Sequence, residues 1–362
     1  MCRAAGKCYG RTVQPPRFLT LVVAVGLACA TLDAQQQAPR FHERIDVARV
    51  VVDARVVDDR GNPVIGLSAA DFAVKIDRQI CRVETAAWIG EHDMTAPAAA
   101  SPAASAEEAS GPAGPIGRLV VFLFQKDLEP SRIAGLMRML SRTRDFLGTL
   151  GPSDRVAVLS FDSHLRVWSD FTNDRETLER LLRHGVLLED PPIAHRPGEP
   201  SLLARLDANE AQHAYGMERA LLLIGRALEP MPGSKSVVLV GHGFGHYTPD
   251  GVFMEADYEP ARRALVAARA SVFSLDVTDA DYHSLEAGLQ MVSEETGGFY
   301  ARTHIFPGQA MRRLSGALAG YYVLFVEAPD DTRPEHDVKV TLSRGKGTVL
   351  ATTSYATQQP RE

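Results

Sequence analysis

The sequence predicts an α/β protein: a doubly wound, mostly parallel sheet with a small flanking all-β sandwich. Three observations predict it. Between 118 and 305, short apolar runs alternate with amphipathic helical segments long enough to cross a sheet, which implies parallel pairing. Residues 45–90 and 319–357 each carry β-branched runs without helical periodicity. Residues 91–117, rich in Ala, Pro, Ser and Glu, have no apolar periodicity and read as a linker.

The elements follow in order. Residues 47–57 are β-branched with partial alternation, and Asp58-Asp59-Arg60-Gly61-Asn62-Pro63 is a turn signal. Residues 72–76 and 83–88 are further strands. Residues 118–124 form a buried-strand run, and a helix near 131–150 places Ile133, Leu136, Met137, Leu140, Leu147 and Leu150 on one face. Residues 154–161 are the second main strand, with 166–168 as a short edge strand beside it. Asn173 and Glu176 have capping-box spacing ahead of Leu178, Leu181 and Leu182. Residues 185–204 carry prolines and read as a long loop, and 211–228 as one helix, stopped by Pro232-Gly233. Strands at 236–240, 271–275 and 298–300 then alternate with helices near 258–270, 281–295 and 308–318. Strands at 321–327, 337–342 and 349–355 close the chain. A lone hairpin is marginally stable, so this group is expected to pair with 45–90 in one sandwich.

The first 34 residues have the layout of a secretory signal peptide. Arg3, Lys7, Arg11 and Arg17 precede an apolar run at 18–30, and small residues lead to Ala34. The apolar run is short for a membrane span. Cleavage after Ala30 or Ala34 fits equally, an uncleaved anchor is the alternative, and Gly26-Leu27-Ala28-Cys29 loosely resembles a lipoprotein box that would place a lipid on Cys29. The expected location is secreted or periplasmic, in a cell envelope. A membrane is met only through an uncleaved or lipidated leader.

Residues 1–34 hold four of the 39 basic and one of the 45 acidic residues, so their removal moves the net charge from −6 to −9. An acidic chain is a poor partner for nucleic acid or an anionic membrane surface. Of the four cysteines, Cys2, Cys8 and Cys29 lie in the leader and Cys81 alone remains, which excludes an internal disulfide and a cysteine zinc site.

Four motifs carry a resemblance. Arg-Leu-Val-Val-Phe-Leu-Phe at 118–124 is followed by Gln125-Lys126-Asp127-Leu128-Glu129. Ser153-Asp154-Arg155-Val156-Ala157-Val158-Leu159-Ser160-Phe161, then Asp170-Phe171-Thr172-Asn173-Asp174, then Thr296-Gly297-Gly298-Phe299-Tyr300 come after it. Together they resemble a von Willebrand factor A domain over 118–305. The flanks, with Gly61-Asn62-Pro63-Val64, Gly66-Leu67-Ser68-Ala69-Ala70-Asp71-Phe72 and Gly320-Tyr321-Tyr322-Val323-Leu324-Phe325, resemble the von Willebrand A-related proteins abundant in Acidobacteria.

In that family the first strand ends in Asp-x-Ser-x-Ser, which holds a divalent metal that bridges to a ligand carboxylate. The matching positions here are Gln125, Asp127 and Glu129. Thr172 matches the family's second-loop threonine, and His242 falls where the family has Asp. The resemblance therefore implies a degenerate metal-ion-dependent adhesion site. Magnesium wants oxygen ligands in near-octahedral geometry, which this set does not rebuild by inspection. The expectation is a metal-free or weakly metal-binding site. A transition-metal site of Asp127, Glu129, His242 and His246, taking zinc or manganese, is the alternative, with Thr172 as a further weak ligand.

Other patterns lose their chemistry on reading. Gly241-His242-Gly243-Phe244-Gly245 has the outline of a nucleophile elbow with Gly243 at the nucleophile position. Asp276 and Asp279 read as turn or capping residues with a minor role at the site rim, and Met137 and Met217 as core. The expected function is a non-enzymatic, protein-binding module using Gln125, Asp127, Glu129, Thr172 and His242. The alternatives are a structural or assembly component of the envelope, and a metallohydrolase built on His242 and His246.

Overall fold

The structure is a computed structural model and describes residues 49–90, 117–127, 129–188, 200–329 and 333–356. The leader at 1–34, the linker up to 116 and residues 189–199 of the proline-bearing loop lie outside them.

In chain order the elements are β1 (Arg49–Val57), β2 (Phe72–Ile76), β3 (Gln79–Cys81), β4 (Val83–Gly90), β5 (Leu119–Gln125), α1 (Pro130–Leu147), β6 (Arg155–Phe161), β7 (Leu165–Thr172) and α2 (Arg175–Arg180), which runs on through Leu181–Gly185. Then come α3 (Ala208–Gln212), α4 (Met217–Leu228), β8 (Lys235–Gly241), β9 (His246–Thr248), β10 (Gly251–Phe253), α5 (Tyr258–Ala267), β11 (Ala270–Asp276), α6 (Glu286–Glu295), β12 (Tyr300–Arg302) and α7 (Pro307–Leu318). The last strands are β13 (Gly320–Glu327), β14 (Glu335–Leu342), β15 (Thr348–Ala351) and β16 (Ser354–Ala356).

A six-stranded sheet runs in the order β12-β11-β8-β5-β6-β7. All its pairs are parallel except β6 with β7. Every residue of β5 is buried, because alternate side chains enter two different cores. Leu119, Val121 and Leu123 join Leu221, Ile224 and Leu265 of α4 and α5. Val120, Phe122 and Phe124 join Leu136 and Leu140 of α1, Leu178 of α2 and Leu314 of α7. Helices therefore cover both faces, which is why the strand reads as one apolar run. Strand order reverses between β5 and β8, so the crevice of a doubly wound sheet opens at the C-terminal ends of those two strands.

The flanking strands form two four-stranded sheets, β15-β1-β13-β4 and β16-β14-β2-β3. Between them lies a third core of Val52, Ala54, Val56, Phe72, Val74, Ile76, Tyr322, Leu324 and Val326. Phe72 and Trp88 meet the Tyr322 ring edge-on at 5.2 and 5.0 Å. The Tyr322 hydroxyl donates to the Val64 carbonyl at 2.9 Å and accepts from Leu67 N–H at 3.0 Å, which removes the cost of burying it. Buried Arg55 leaves β1 to donate to Ser271 Oγ at 2.7 Å on β11, its guanidinium over the rings of Phe273 and Tyr321.

Local readings of the sequence change in four places. Helix α1 buries Met139 and Phe146 with Leu136, Leu140 and Leu147, whereas Met137 lies outside that stripe and is exposed rather than core. The single helix expected at 211–228 is two, because Gly216 adopts an extended conformation and caps α4. Asp174, not Asn173, is the N-cap of α2, accepting from Thr177 N–H at 3.1 Å. The short edge strand expected at 166–168 runs from Leu165 to Thr172 and pairs antiparallel, with consequences for Thr172 below.

Candidate functional site

Gln125 ends β5, and His242 follows the last residue of β8. They stand on either side of the switch point. The Gln125 side chain is buried and fully engaged with the β8 loop. Its Nε2 donates to the Gly243 carbonyl at 2.8 Å, and its Oε1 accepts from His242 N–H at 2.9 Å. Glycine at 241 leaves room for that amide, since a Cβ there would contact Gln125 Oε1. Gly243 has φ of +106° and sits against the Leu285 carbonyl, a conformation other residues adopt at a cost. Gln125 thus acts as a strap between two loops rather than as a free ligand.

Asp127 accepts from Glu129 N–H at 3.0 Å, and its other oxygen is paired with the Arg132 guanidinium of α1. That backbone bond, then Arg132 and His242, hold its carboxyl below the ordinary range. Arg132 Nε also grips Glu129 at 3.0 Å, and the Glu129 carboxylate accepts from Ser131 Oγ at 2.5 Å. His242 Nε2 lies 3.6 Å from Asp127 Oδ2. Its Nδ1 is buried without a hydrogen-bond partner among the described residues. Burial, then Arg132, pulls its pKa down to about 4, so it is neutral near pH 7.

A magnesium or related ion fits this set poorly. A guanidinium stands on Asp127 where the cation would bind, and both polar ends of Gln125 are taken by the main chain. Thr172 does not join the set. Gln125 pairs with Phe161, and Phe161 with Leu165, at one edge of the sheet; Thr172 pairs with Val156 near the other. Five residues of strand separate the two edges, roughly 16 Å at 3.3 Å per residue. The antiparallel return of β7 carries the threonine away from the crevice, and its hydroxyl accepts from Asp174 N–H at 3.2 Å. His246 is exposed on β9 opposite Phe253, and no grouping among the described residues joins it to His242.

A second cluster on the same edge was not read from the sequence. Asp276 ends β11 and is buried. Its Oδ1 accepts from Thr278 N–H at 2.9 Å, the expected turn role. Its Oδ2 meets His283 Nε2 at 2.7 Å and the Tyr300 hydroxyl at 2.8 Å. The same hydroxyl lies 3.0 Å from Glu286 Oε2, and Arg302 clasps both Glu286 oxygens at 2.8 and 3.0 Å. Burial, followed by the two carboxylates, raises the Tyr300 phenol, so it stays protonated. Asp276, His283 and Glu286 have the spacing to hold a metal ion. Arg302 and Tyr300 instead satisfy those carboxylates from within the chain. A sequence signal existed: an aspartate closing an apolar strand, with His and Glu seven and ten positions on.

Exposed apolar side chains follow the ends of three of the parallel strands. Tyr247 and Phe253 lie on the β9–β10 hairpin after β8, Tyr282 in the loop after β11, and Ile305 and Phe306 after β12. All are more than half exposed. Each follows the C-terminal end of a parallel strand, so the fold brings them to one edge.

No family model matches this chain, and no curated protein does. Solved structures show loose similarity. BatB, a conserved hypothetical protein from Bacteroides thetaiotaomicron, is 15% identical with a TM-score of 0.36, over 56% of this chain and 97% of its own. An aerotolerance-related membrane protein from Bacteroides fragilis is 14% identical at 0.36, over 56% and 98%. The human COPII-coat protein Sec24c is 10% identical at 0.40, over 66% and 43%. The class assignment rests on the strand order: a mixed α/β protein with a large, mostly parallel sheet and separate antiparallel sheets. Among the described residues no helix is long and apolar enough to cross a membrane.

Proposed function

We propose that this chain is an exported, non-enzymatic protein-binding module, and that its α/β part is a von Willebrand A-like domain whose loop face docks another protein without a bridging metal. The observation that carries this reading is the group of exposed apolar side chains, Tyr247, Phe253, Tyr282, Ile305 and Phe306, after the C-terminal ends of β8, β11 and β12. Aromatic side chains in the open are the commonest anchors of protein interfaces. The polar groups on the same face are already paired: Gln125 with the β8 loop, Asp127 with Arg132, Glu286 with Arg302. That leaves a rigid, shaped surface rather than a set of reactive groups. Strand order and the placement of Gln125 and Asp127 after the first strand of the sheet support the family reading.

The test is chemical crosslinking in the native envelope, comparing the wild-type chain with a Tyr247→Ser, Tyr282→Ser, Phe306→Ser variant. One crosslinked protein lost in the triple variant, and kept in a Val51→Ser variant on the sandwich, is the expected result. Equal crosslinking in all three overturns the loop-face reading.

The envelope-assembly reading has one observation of its own. Val51 and Phe325 face each other across β1 and β13, and both are exposed on the outer surface of the sandwich. If that surface makes the contact, Val51→Ser loses the crosslink and the loop-face variant keeps it.

A further inference from the structure

A cavity of about 520 Å³ lies away from the loop face, between α6, β12 and α7 on one side and β14 and β15 on the other. Its volume is that of a small-ligand pocket. Arg313 of α7 lines it, with Glu294, Phe299, Lys339, Val340 and Leu350. The Arg313 guanidinium lies over the Phe299 ring at 4.3 Å. It has no acidic or carbonyl partner among the described residues, and burial alone depresses its pKa. Most buried guanidinium groups in this chain are matched: Arg118 has Asp154, and Arg262 has Glu259 and Glu335. A half-buried, fixed cation facing a cavity calls for an anion, and its planar fork suits a carboxylate.

The opposite wall adds a second requirement. Among the described residues, β14 pairs over 338–342 only with β2, and β15 is an edge strand that pairs only with β1. Val338 N–H is used by the Thr353 carbonyl at 2.7 Å. Beyond it, both strands turn edges that no described strand covers toward the same space. A free strand edge is completed by another extended chain.

We propose that this cavity binds a short extended peptide segment, with main-chain bonds to the β14 or β15 edge and a peptide carboxylate on Arg313. The site is independent of the loop face. The unpaired guanidinium sets the charge of the ligand, and the two strand edges set its conformation.

The test is NMR of the full chain with labelled Val and Leu methyl groups, titrated with mixed tetrapeptides in three forms: free C-terminal acid, C-terminal amide without acidic side chains, and amide with Asp or Glu. Val338, Val340, Val349 and Leu350 should shift with an acid-bearing pool. Which of the two acid pools acts tells whether the carboxylate is terminal or side-chain. The neutral amide pool should bind at least about tenfold more weakly, the worth of one charge-assisted hydrogen bond. Arg313→Ala should erase that difference, and Arg313→Lys should keep part of it. If Arg313→Ala does not fold, the contrast between acid and amide pools on the wild-type chain decides. No shift with any pool at millimolar concentration, or equal shifts with acid and amide, overturns the proposal. So does inorganic phosphate alone reproducing the shifts while no peptide pool binds, which would mean a simple anion site.

Discussion

The two edges of the central sheet use the same residue types for opposite ends. At the edge where the strands begin, Arg118 and Asp154 form a buried pair with several bonds. Asp154 Oδ1 accepts from Arg118 N–H at 2.9 Å and Nε at 3.0 Å, and Oδ2 accepts from Gly151 N–H at 2.7 Å. Lys235 donates to the Ala268 carbonyl at 2.8 Å, and Arg269 binds Asp53 of the sandwich. Charge there serves to close the structure. At the edge where the strands end, Asp127 and Arg132 are each about 30% exposed, His242 keeps an unpartnered nitrogen, and apolar rings stand in solvent. Charge there shapes a surface. Burial, not residue type, separates a structural pair from a candidate site.

The largest expected effect breaks the first edge. Asp154→Ala leaves Arg118 buried without its anion and removes bonds to two backbone N–H groups. It should cost about 3–5 kcal/mol in urea denaturation. Asp127→Ala should cost under about 1 kcal/mol, as expected for a solvent-screened pair. Similar costs at the two positions would erase the distinction drawn between the edges.

Legibility in the sequence follows the range of the contacts. The doubly wound sheet was readable because β5 carries a continuous apolar run and α1 a helical stripe, both local patterns. The edge strand beside β6 is legible as well, but not its antiparallel run on to Thr172, which removes that residue from the crevice. Gln125 ends the first strand of the sheet, as its position in the sequence implies. Its role was hidden, because its partners at 242 and 243 lie more than a hundred positions away. Asp276 reads as a turn residue because Thr278 is local, whereas Tyr300, which links it to Glu286, reaches it only through the parallel crossover.

The next effect is on pH dependence. His242 titrates at about 4 in the folded chain against an ordinary 6.5, with Asp127, Arg132, Asp276 and His283 as its charged or titratable neighbours. Between those values the unfolded chain binds the extra proton, so stability falls as pH drops through that window. The loss is at most about 3 kcal/mol. His242→Gln should flatten the stability curve between about pH 6.5 and 4, leaving the steeper fall below it to depressed carboxylates such as Asp127 and Asp154. An unchanged slope would place the histidine in solvent rather than in the crevice.

Gly243→Ala tests the strap itself. A left-handed φ and the Leu285 carbonyl both oppose a Cβ there, at a cost of about 1–3 kcal/mol. Gln125→Ala removes both strap bonds without adding strain. If the strap shapes the face, crosslinking to a loop-face partner should fall in both variants while the sandwich keeps its methyl spectrum. A global loss of the spectrum would make Gly243 a folding residue instead.

The smallest expected effect concerns metal. An ion held at one hundred times its Kd adds about 2.7 kcal/mol of stability. Magnesium, manganese or zinc should add nothing of that size to the wild-type chain, and chelator should remove nothing, because Arg132 occupies Asp127 and Glu129 together. Arg132→Ser frees both carboxylates beside neutral His242. Two carboxylates and an imidazole suit zinc or manganese better than magnesium. Thermal denaturation of Arg132→Ser with each ion should therefore show a rise for zinc or manganese that the wild-type chain lacks. A rise already present in the wild type would mean that an ion displaces the guanidinium, and that docking at this face is ion-bridged after all.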